Sequence, residues 1–313
     1  MLTYRQNHCY SLEVINLKYL ISLLFIISQS VYAQCAPEEN DCVPVGEWQF
    51  SIAIGAGVIT NPLHDGDNIP LVIVPSFSYY GEQVFIDNNA LGFTFYQSDT
   101  LSFSAVSQLN RENAFFQRWH PNNIFVNSLA NTVPDAPQFD EDLDPAGDNG
   151  EIDDEANDVE LGEVQDRKWA LDAGLQVNWF FFQHSHLQLK LLHNINNVYN
   201  GLNGQVALEQ PFILSAIPNN LLTLTLGANW QSKEQVDYYY GIDAQDQVDE
   251  ELYYQGKASL SPYFKLVNQY AFNERWSVKL SLQREWLDSA LTNSPLVHDD
   301  VNDSFFFGLE YAL

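Results

Sequence analysis

Positive charge is scarce in this chain. Its 313 residues contain 13 Lys and Arg against 41 Asp and Glu, which gives a formal net charge of -28. Binding to nucleic acid would meet repulsion at every phosphate, so this class of partner is excluded. Long apolar runs are also missing: no stretch approaches the ~18 uninterrupted apolar residues of a spanning helix. The sequence therefore predicts neither a nucleic-acid-binding protein nor a helical membrane protein.

The first 33 residues have the pattern of a secretory signal peptide. Arg5 and Lys18 precede an apolar core, and a small residue, Ala33, precedes Gln34. We expect residues 1–33 to be removed between Ala33 and Gln34; a short membrane anchor is the alternative. Residues 34–46 then form a periplasmic N-terminal segment. Because that compartment is oxidising, Cys35 and Cys42 are expected to form a disulfide, with two free thiols as the alternative.

Alternation of apolar and small polar residues recurs along the rest of the chain. The clearest examples are residues 48–58, 169–181, 222–230 and 276–283. Their length, ~10–13 residues, suits strands that cross a bilayer at a tilt, whereas strands of soluble sheets usually have ~5–6. Trp residues lie near the strand ends, as in the aromatic girdles of outer-membrane barrels. This pattern predicts an all-β fold, an antiparallel transmembrane β-barrel; a soluble sandwich is the alternative.

The connections alternate between short and long from the C-terminus backwards. Seven strands are predicted over residues 168–313 and four near 47–58, 69–80, 83–97 and 100–109. A further strand near 112–119 gives about 12, with 10–14 as the range, because single-chain bacterial barrels have an even count. We therefore expect a barrel over residues 47–313 in the Gram-negative outer membrane, with a long acidic extracellular loop at 121–167.

The C-terminal strand resembles the assembly signal of outer-membrane barrels. Its alternating apolar positions are Phe305, Phe307, Leu309, Tyr311 and Leu313. The last strand must close the sheet and present one apolar face to lipid, which is the membrane partner that we expect. Leu313 departs from the signal, since the final residue is usually aromatic.

Few residues suggest chemistry. Residues 131–166 hold 14 acids and no Lys or Arg, and a calcium site on Asp142, Asp144, Asp148 and Asp153 is the less favoured interpretation, since EF-hand spacing fails. A solvated acidic loop is favoured. His184 and His186 lack a nearby third zinc ligand, and no GxSxG motif occurs. We expect no cofactor and no enzymatic activity.

Four charged residues occupy alternate positions that would face a barrel lumen. They are Asp172, Lys190, Lys265 and Lys279. Such residues would tune ion passage or pair with one another. Because bases are so few in the chain, any pore is expected to disfavour anions.

An ordered set of short motifs resembles the MipA/OmpV family, the MltA-interacting protein family. The motifs are Asn61-Pro62, Asp65-Gly66-Asp67-Asn68-Ile69-Pro70, Ser78-Tyr79-Tyr80-Gly81, Phe85-Ile86-Asp87-Asn88, Leu91-Gly92, Ser294-Pro295-Leu296-Val297 and Gly308-Leu309-Glu310-Tyr311. The resemblance spans roughly residues 46–313. It implies an outer-membrane barrel and, in some members, a scaffold that joins a lytic murein transglycosylase to a peptidoglycan synthase. The alternative function is a narrow passive channel that prefers cations.

Overall fold

The computed structural model describes residues 45–125, 158–182, 185–213, 217 and 219–313. Its strands are β1 (Trp48–Ile59), β2 (Ile69–Pro70), β3 (Ile73–Tyr80), β4 (Val84–Asp87), β5 (Ala90–Gln97), β6 (Leu101–Leu109), β7 (Leu171–Phe181), β8 (Ser185–Asn194), β9 (Leu202–Ile213), β10 (Asn220–Gln231), β11 (Ser259–Asn273), β12 (Trp276–Trp286) and β13 (Val301–Ala312). Four short helices lie in the connections: α1 (Asn113–Phe116), α2 (Pro121–Ile124), α3 (Lys233–Tyr240) and α4 (Ser289–Thr292). Two 3₁₀ turns, Leu161–Glu163 and Glu250–Leu252, complete the described elements.

The strands form one closed antiparallel sheet. Each strand pairs with its neighbours in chain order, and β13 returns to pair with β1 from Ser51↔Ala312 to Ile59↔Ser304. β2 pairs only with the end of β1, so twelve strands make the barrel wall. A closed ring leaves no sheet edge, which is the condition for crossing a membrane with strands. The prediction of an antiparallel barrel with about 12 strands is confirmed.

The two ends of the barrel differ in the length of their connections. One end, here called the turn end, carries residues 81–83, 98–100 and 274–275 together with both described chain ends. The other, the loop end, carries residues 60–68, 88–89, 110–125, 158–170, 195–201, 232–258 and 287–300. Among the described residues no helix is long and apolar enough to cross a membrane.

The outer surface of the barrel is apolar and carries two groups of Trp residues. Outward side chains of β13, such as Phe305 and Phe307, are exposed, whereas the alternate residues Phe306 and Glu310 are buried inside. Trp48, Trp179 and Trp276 lie near the turn end, and Trp169, Trp230 and Trp286 lie near the loop end. This arrangement matches an apolar band between two aromatic girdles.

The predicted strand near 112–119 is wrong. This segment forms α1 and a turn, with Ala114 and Phe115 buried beneath the loops. Its two consecutive Phe residues break period-2 alternation but allow one helical turn to bury an apolar face. The barrel still has twelve wall strands, because residues 83–97 contribute one strand more than predicted.

Residues 83–97 form two strands, although one was predicted. β4 and β5 pair from Val84↔Phe93 to Asp87↔Ala90 and are joined at Asn88-Asn89. Asn88 has φ 49°, and its backbone N–H donates to the carbonyl of Phe77 over 2.9 Å. Asn tolerates the left-handed region that tight hairpins require, so this turn supplies the twelfth strand.

The hairpin of β4 and β5 is short, and α2 lies close to the wall beside it. β4 pairs with β3 only over Ser78–Tyr80. Phe125, directly after α2, packs edge-on against Phe77 at a ring-centroid distance of 5.2 Å. Asn122 of α2 donates its side-chain amide to the carbonyl of Asn110 over 3.1 Å. The segment from α1 to Phe125 is therefore attached to the wall at both β6 and β3.

Candidate functional site: the barrel lumen and its cap

The barrel encloses a cavity of about 650 Å³ that is lined mainly by polar side chains. They include Gln108, Gln176, Asn178, Gln188, Gln205 and Thr225. All point inward from β6 to β10, where alternate residues on each strand face the interior. A polar lining of this kind keeps water in the cavity and suits a polar solute.

The cavity carries charges of both signs. Arg111, Lys190 and Lys265 are its bases, and Asp87 and Glu209 are its acids. Lys190 donates to the side-chain carbonyl of Gln108 over 3.1 Å. The lining is therefore not acidic, in contrast to the chain as a whole.

Inside the barrel, the turn-end half of β12 and β13 is filled by a buried ion pair. Lys279 Nζ lies 3.4 Å from Glu310 Oε1, and both residues are buried. Ser51 donates to the same carboxylate over 2.8 Å and Gln269 over 3.0 Å. Because the carboxylate has several donors, the pair is satisfied where it is buried. Phe306 packs nearby in an apolar cluster, so this sector is core.

The loop end is covered by a packed apolar cluster, here called the loop cap. Its buried residues come from five connections: Leu63, Phe115, Val159, Ala170, Tyr199, Val236, Tyr239, Tyr240, Ile242, Leu291, Leu296 and Val297. Tyr239 and Tyr240 of α3 are at most 1% exposed. Phe115 belongs to the loop cap and also lines the cavity. The loop cap therefore forms the wall of the lumen at the loop end.

A layer of charged groups joins the loop cap to the strands beneath it. Arg111 Nη2 lies 2.5 Å from Glu285 Oε2, and Asn229 donates to Glu285 Oε1 over 2.7 Å. The Tyr240 hydroxyl donates to Glu112. Burial raises the pKa of Glu112, against the opposing effect of Arg111. These contacts tie α3 and the start of the 110–170 connection to β10 and β12.

A second polar cluster is centred on Asp172 at the start of β7. Its fully buried carboxylate accepts hydrogen bonds from the Asn110 amide over 2.6 Å, the Tyr199 hydroxyl over 2.7 Å and the Asn203 amide over 2.8 Å, all at Oδ2. The Asn194 amide donates to Oδ1 over 3.1 Å. Burial and the neighbouring carboxylate raise the pKa of Tyr199, so its hydroxyl stays protonated and donates. Asp172 therefore joins two connections of the loop end, 110–170 and 195–201, to the ends of β8 and β9.

The four charged residues predicted to face the lumen all point inward. Lys190 and Lys265 line the cavity, Lys279 is paired in the packed sector, and Asp172 lies beneath the loop cap. Sequence reasoning missed Glu209, which lies on the inward face of β9 with Gln205, whereas Val206 and Leu208 face outward. Its place on the polar side of this alternation was the available signal.

Several predicted sites lie outside the described residues. They are Ala33 and Gln34, the pair Cys35 and Cys42, the acids Asp142, Asp144, Asp148 and Asp153, and His184. In the part of the chain that the structure describes, no group of three or more His, Cys, Asp and Glu residues is placed to hold a metal ion. The apolar side chains of the C-terminal strand, Phe305, Phe307, Leu309 and Tyr311, face outward on β13, and Leu313 follows it.

Comparisons with known proteins agree with this architecture. The family model described as MltA-interacting protein MipA matches residues 54–313. The MltA-interacting protein of Escherichia coli (strain K12) is 26% identical over 270 residues, covering 85% of this chain and 90% of the relative. A putative outer membrane protein, YiaT, of Escherichia coli O157:H7 is 25% identical over 260 residues, covering 83% and 88%.

Among solved structures, an outer membrane channel from Pseudomonas putida F1 aligns with a TM-score of 0.33 at 13% identity, covering 89% of this chain and 99% of that one. The closed barrel, its apolar outer band and the family match place this chain in the outer membrane. The chain belongs to the MltA-interacting protein MipA family.

Proposed function

We propose that this protein is a non-enzymatic outer-membrane scaffold for proteins that remodel murein. In this proposal the turn end faces the periplasm and the loop end faces the exterior, since short turns and long loops are distributed in this way in outer-membrane barrels. The periplasmic rim, together with residues 34–46, then provides the docking surface.

The observation that carries the proposal is the loop cap. Twelve buried residues from five connections pack over the loop end, and Phe115 of this cluster bounds the lumen. A conduit needs both ends open, whereas a docking protein needs a rigid body anchored in the membrane. The packed cap favours the second role.

The name of the relative suggests the first partner. The Escherichia coli relative is called MltA-interacting protein. By extension we propose a lytic murein transglycosylase as the partner of this chain, with a peptidoglycan synthase as a further member of the assembly. The turn end has exposed apolar side chains for such a contact, among them Phe182 at 84% exposure and Ile217 at 46%.

Co-purification tests the proposal. The full-length protein in detergent should retain a lytic transglycosylase from the same cell envelope, and Phe182→Asp should weaken this retention. Trp119→Asp is the matched control, because Trp119 is 80% exposed but lies at the loop end. Equal loss in both variants, or no retention by the wild type, would contradict docking at the turn end.

A second candidate function is a narrow passive channel for small solutes. The polar cavity of about 650 Å³ favours it. Cation preference receives no support from the lining, which has three bases and two acids. Conductance in planar bilayers separates the two functions: a scaffold is silent, whereas a channel gives discrete steps.

A further inference from the structure

One row of inward side chains crosses five neighbouring strands of the lumen. The pairing places His186 of β8 opposite Glu209 of β9, Glu209 opposite Thr225 of β10, and Thr225 opposite Lys265 of β11. Lys265 is in turn opposite Gln283 of β12. All five residues line the cavity. This row, here called the lumen row, therefore presents a carboxylate and an ammonium group on either side of a hydroxyl.

The two charges of the lumen row differ from the other charges of the interior in their surroundings. Lys279 is paired with Glu310, and Arg111 with Glu285. Lys190 donates a hydrogen bond to Gln108, and Asp87 accepts one from Tyr80. Within the described residues, the ion pairs closer than 4.0 Å include neither Glu209 nor Lys265. Both side chains are partly exposed to the cavity. Glu209 and Lys265 attract each other electrostatically but lie more than 4.0 Å apart, so each faces the cavity and can pair with a ligand.

The spacing of these two charges selects a class of ligand. They are two strands apart, so their Cα atoms are separated by about 10 Å. A free amino acid, whose opposite charges are close together, reaches both groups only if the two side chains bend toward each other. An extended chain of two or three residues spans ~7–11 Å. We propose that the lumen row binds a short peptide with free ends, its ammonium at Glu209 and its carboxylate at Lys265.

The rest of the cavity suits this ligand. A volume of about 650 Å³ accommodates a tripeptide, and Thr225, Gln283 and Gln205 offer hydrogen bonds to its backbone. Entry is from the turn end, since the loop cap bounds the other end. The site is independent of the proposed scaffold function, because it needs no contact at the rim.

Calorimetry on the full-length protein in detergent micelles tests the proposal. The probes are trialanine with free ends, trialanine blocked at the amino end by acetyl, trialanine blocked at the carboxyl end by amide, and free alanine. We expect free trialanine to bind with one-to-one stoichiometry. Each blocked form should bind at least tenfold more weakly, and free alanine should not bind.

Two variants assign the charges. Glu209→Gln should weaken binding of free trialanine about tenfold but leave binding of the acetylated peptide unchanged, because the partner of the amino end is already lost. Lys265→Gln should likewise weaken binding of free trialanine about tenfold but leave binding of the amidated peptide unchanged, because the partner of the carboxyl end is already lost. Glu251→Gln and Lys257→Gln are matched controls on exposed residues of a loop-end connection. Mobility in unheated gels verifies that each variant is folded.

The outcomes are distinct. Loss of affinity that follows the end group, as described, supports the site. Failure of free trialanine to bind at millimolar concentration would overturn it. Binding that is unchanged in both Glu209→Gln and Lys265→Gln, or binding that ignores acetylation and amidation, would also overturn it.

Discussion

Substitution of Asp172 should loosen the loop cap while leaving the barrel intact. The carboxylate accepts from four donors, two in connections of the loop end and two at the adjoining ends of β8 and β9. In Asp172→Asn, three donors at Oδ2 exchange a charged acceptor for a neutral one, at a cost of about 1 kcal/mol each, and the NH₂ group that replaces Oδ1 faces the Asn194 amide, which is also a donor. A neutral amide is cheaper to bury than a carboxylate, which offsets part of this cost. The expected net loss of unfolding free energy is about 1–2 kcal/mol.

Asp172→Ala should cost more, because one donor loses its acceptor completely. Asn110 and Asn203 also donate to the Tyr199 hydroxyl, and Asn194 also donates to a backbone carbonyl. Among the described contacts of Tyr199, the carboxylate is the acceptor of its hydroxyl. An orphaned buried hydroxyl adds about 1–3 kcal/mol, so we expect a total of about 2–4 kcal/mol.

Urea unfolding in lipid vesicles measures these losses of unfolding free energy. Conductance in planar bilayers shows whether the loop cap still closes the lumen. Under the scaffold proposal we expect a wild type without conductance, and both Asp172 variants should show conductance. Tyr199→Phe completes a double-mutant cycle with Asp172→Asn, and a coupling of about 1 kcal/mol is expected for groups in direct contact. Additive losses, or an Asp172→Asn protein as stable and as silent as the wild type, would refute this account of the cap.

Two further predictions concern the lipid face and acid conditions. Phe307→Lys, at the middle of the outward face, should lower the free energy of unfolding by about 2–4 kcal/mol, whereas Tyr311→Lys, near the turn end, should lower it by about 0–1 kcal/mol. Equal losses in the unfolding of the two variants in lipid vesicles would mean that the depth of β13 in the membrane is wrong. Burial lowers the pKa of His120 to about 4, below its unfolded value of about 6.5. Its neutral form therefore contributes stability that is complete above pH 6.5 and is lost as the pH falls through 4. The unfolding free energy of the wild type should exceed that of His120→Asn by less as the pH falls through this window. The ring centroids of Trp169 and His120 are 5.0 Å apart, so the Trp169 fluorescence, taken as the difference between wild type and Trp169→Phe, should fall as the imidazole is protonated. A pH midpoint of this change near 6.5 would contradict the burial of His120.

Period-2 alternation predicted the C-terminal seven strands well, because each is long and has one face in lipid. It failed at residues 83–97, where β4 has only four residues and cannot establish a period. Asn88-Asn89 is a local signal for a turn, but the apolar residues on both sides of it favour one continuous strand. At 112–119 the apolar residues satisfy a helical turn beneath the loops, a tertiary contact that strand periodicity cannot encode.

The loop cap could not be predicted in the same way. Its residues, such as Tyr239, Leu296 and Val159, come from connections far apart in sequence and share no period. The inward orientation of the charged residues could be predicted, since Lys190, Lys265 and Lys279 occupy alternate positions on long strands. Which of them forms an ion pair could not be predicted, because Glu310 is brought to Lys279 only by the register of β12 and β13.

The pairing of Ser51 with Ala312 has a consequence for the order of folding. Every other pairing in the wall joins consecutive wall strands. Except for β6 and β7, which are separated by residues 110–170, these strands are close in sequence and can form hairpins at short contact order. Closure instead brings together segments about 260 residues apart, an entropic cost on the order of 5 kcal/mol from the logarithm of loop length. Because this step requires β13, it cannot begin before that strand has been synthesised. The barrel should therefore form by late zippering of a preassembled sheet, and variants of β1 and β13 should slow folding more than variants of the central hairpins.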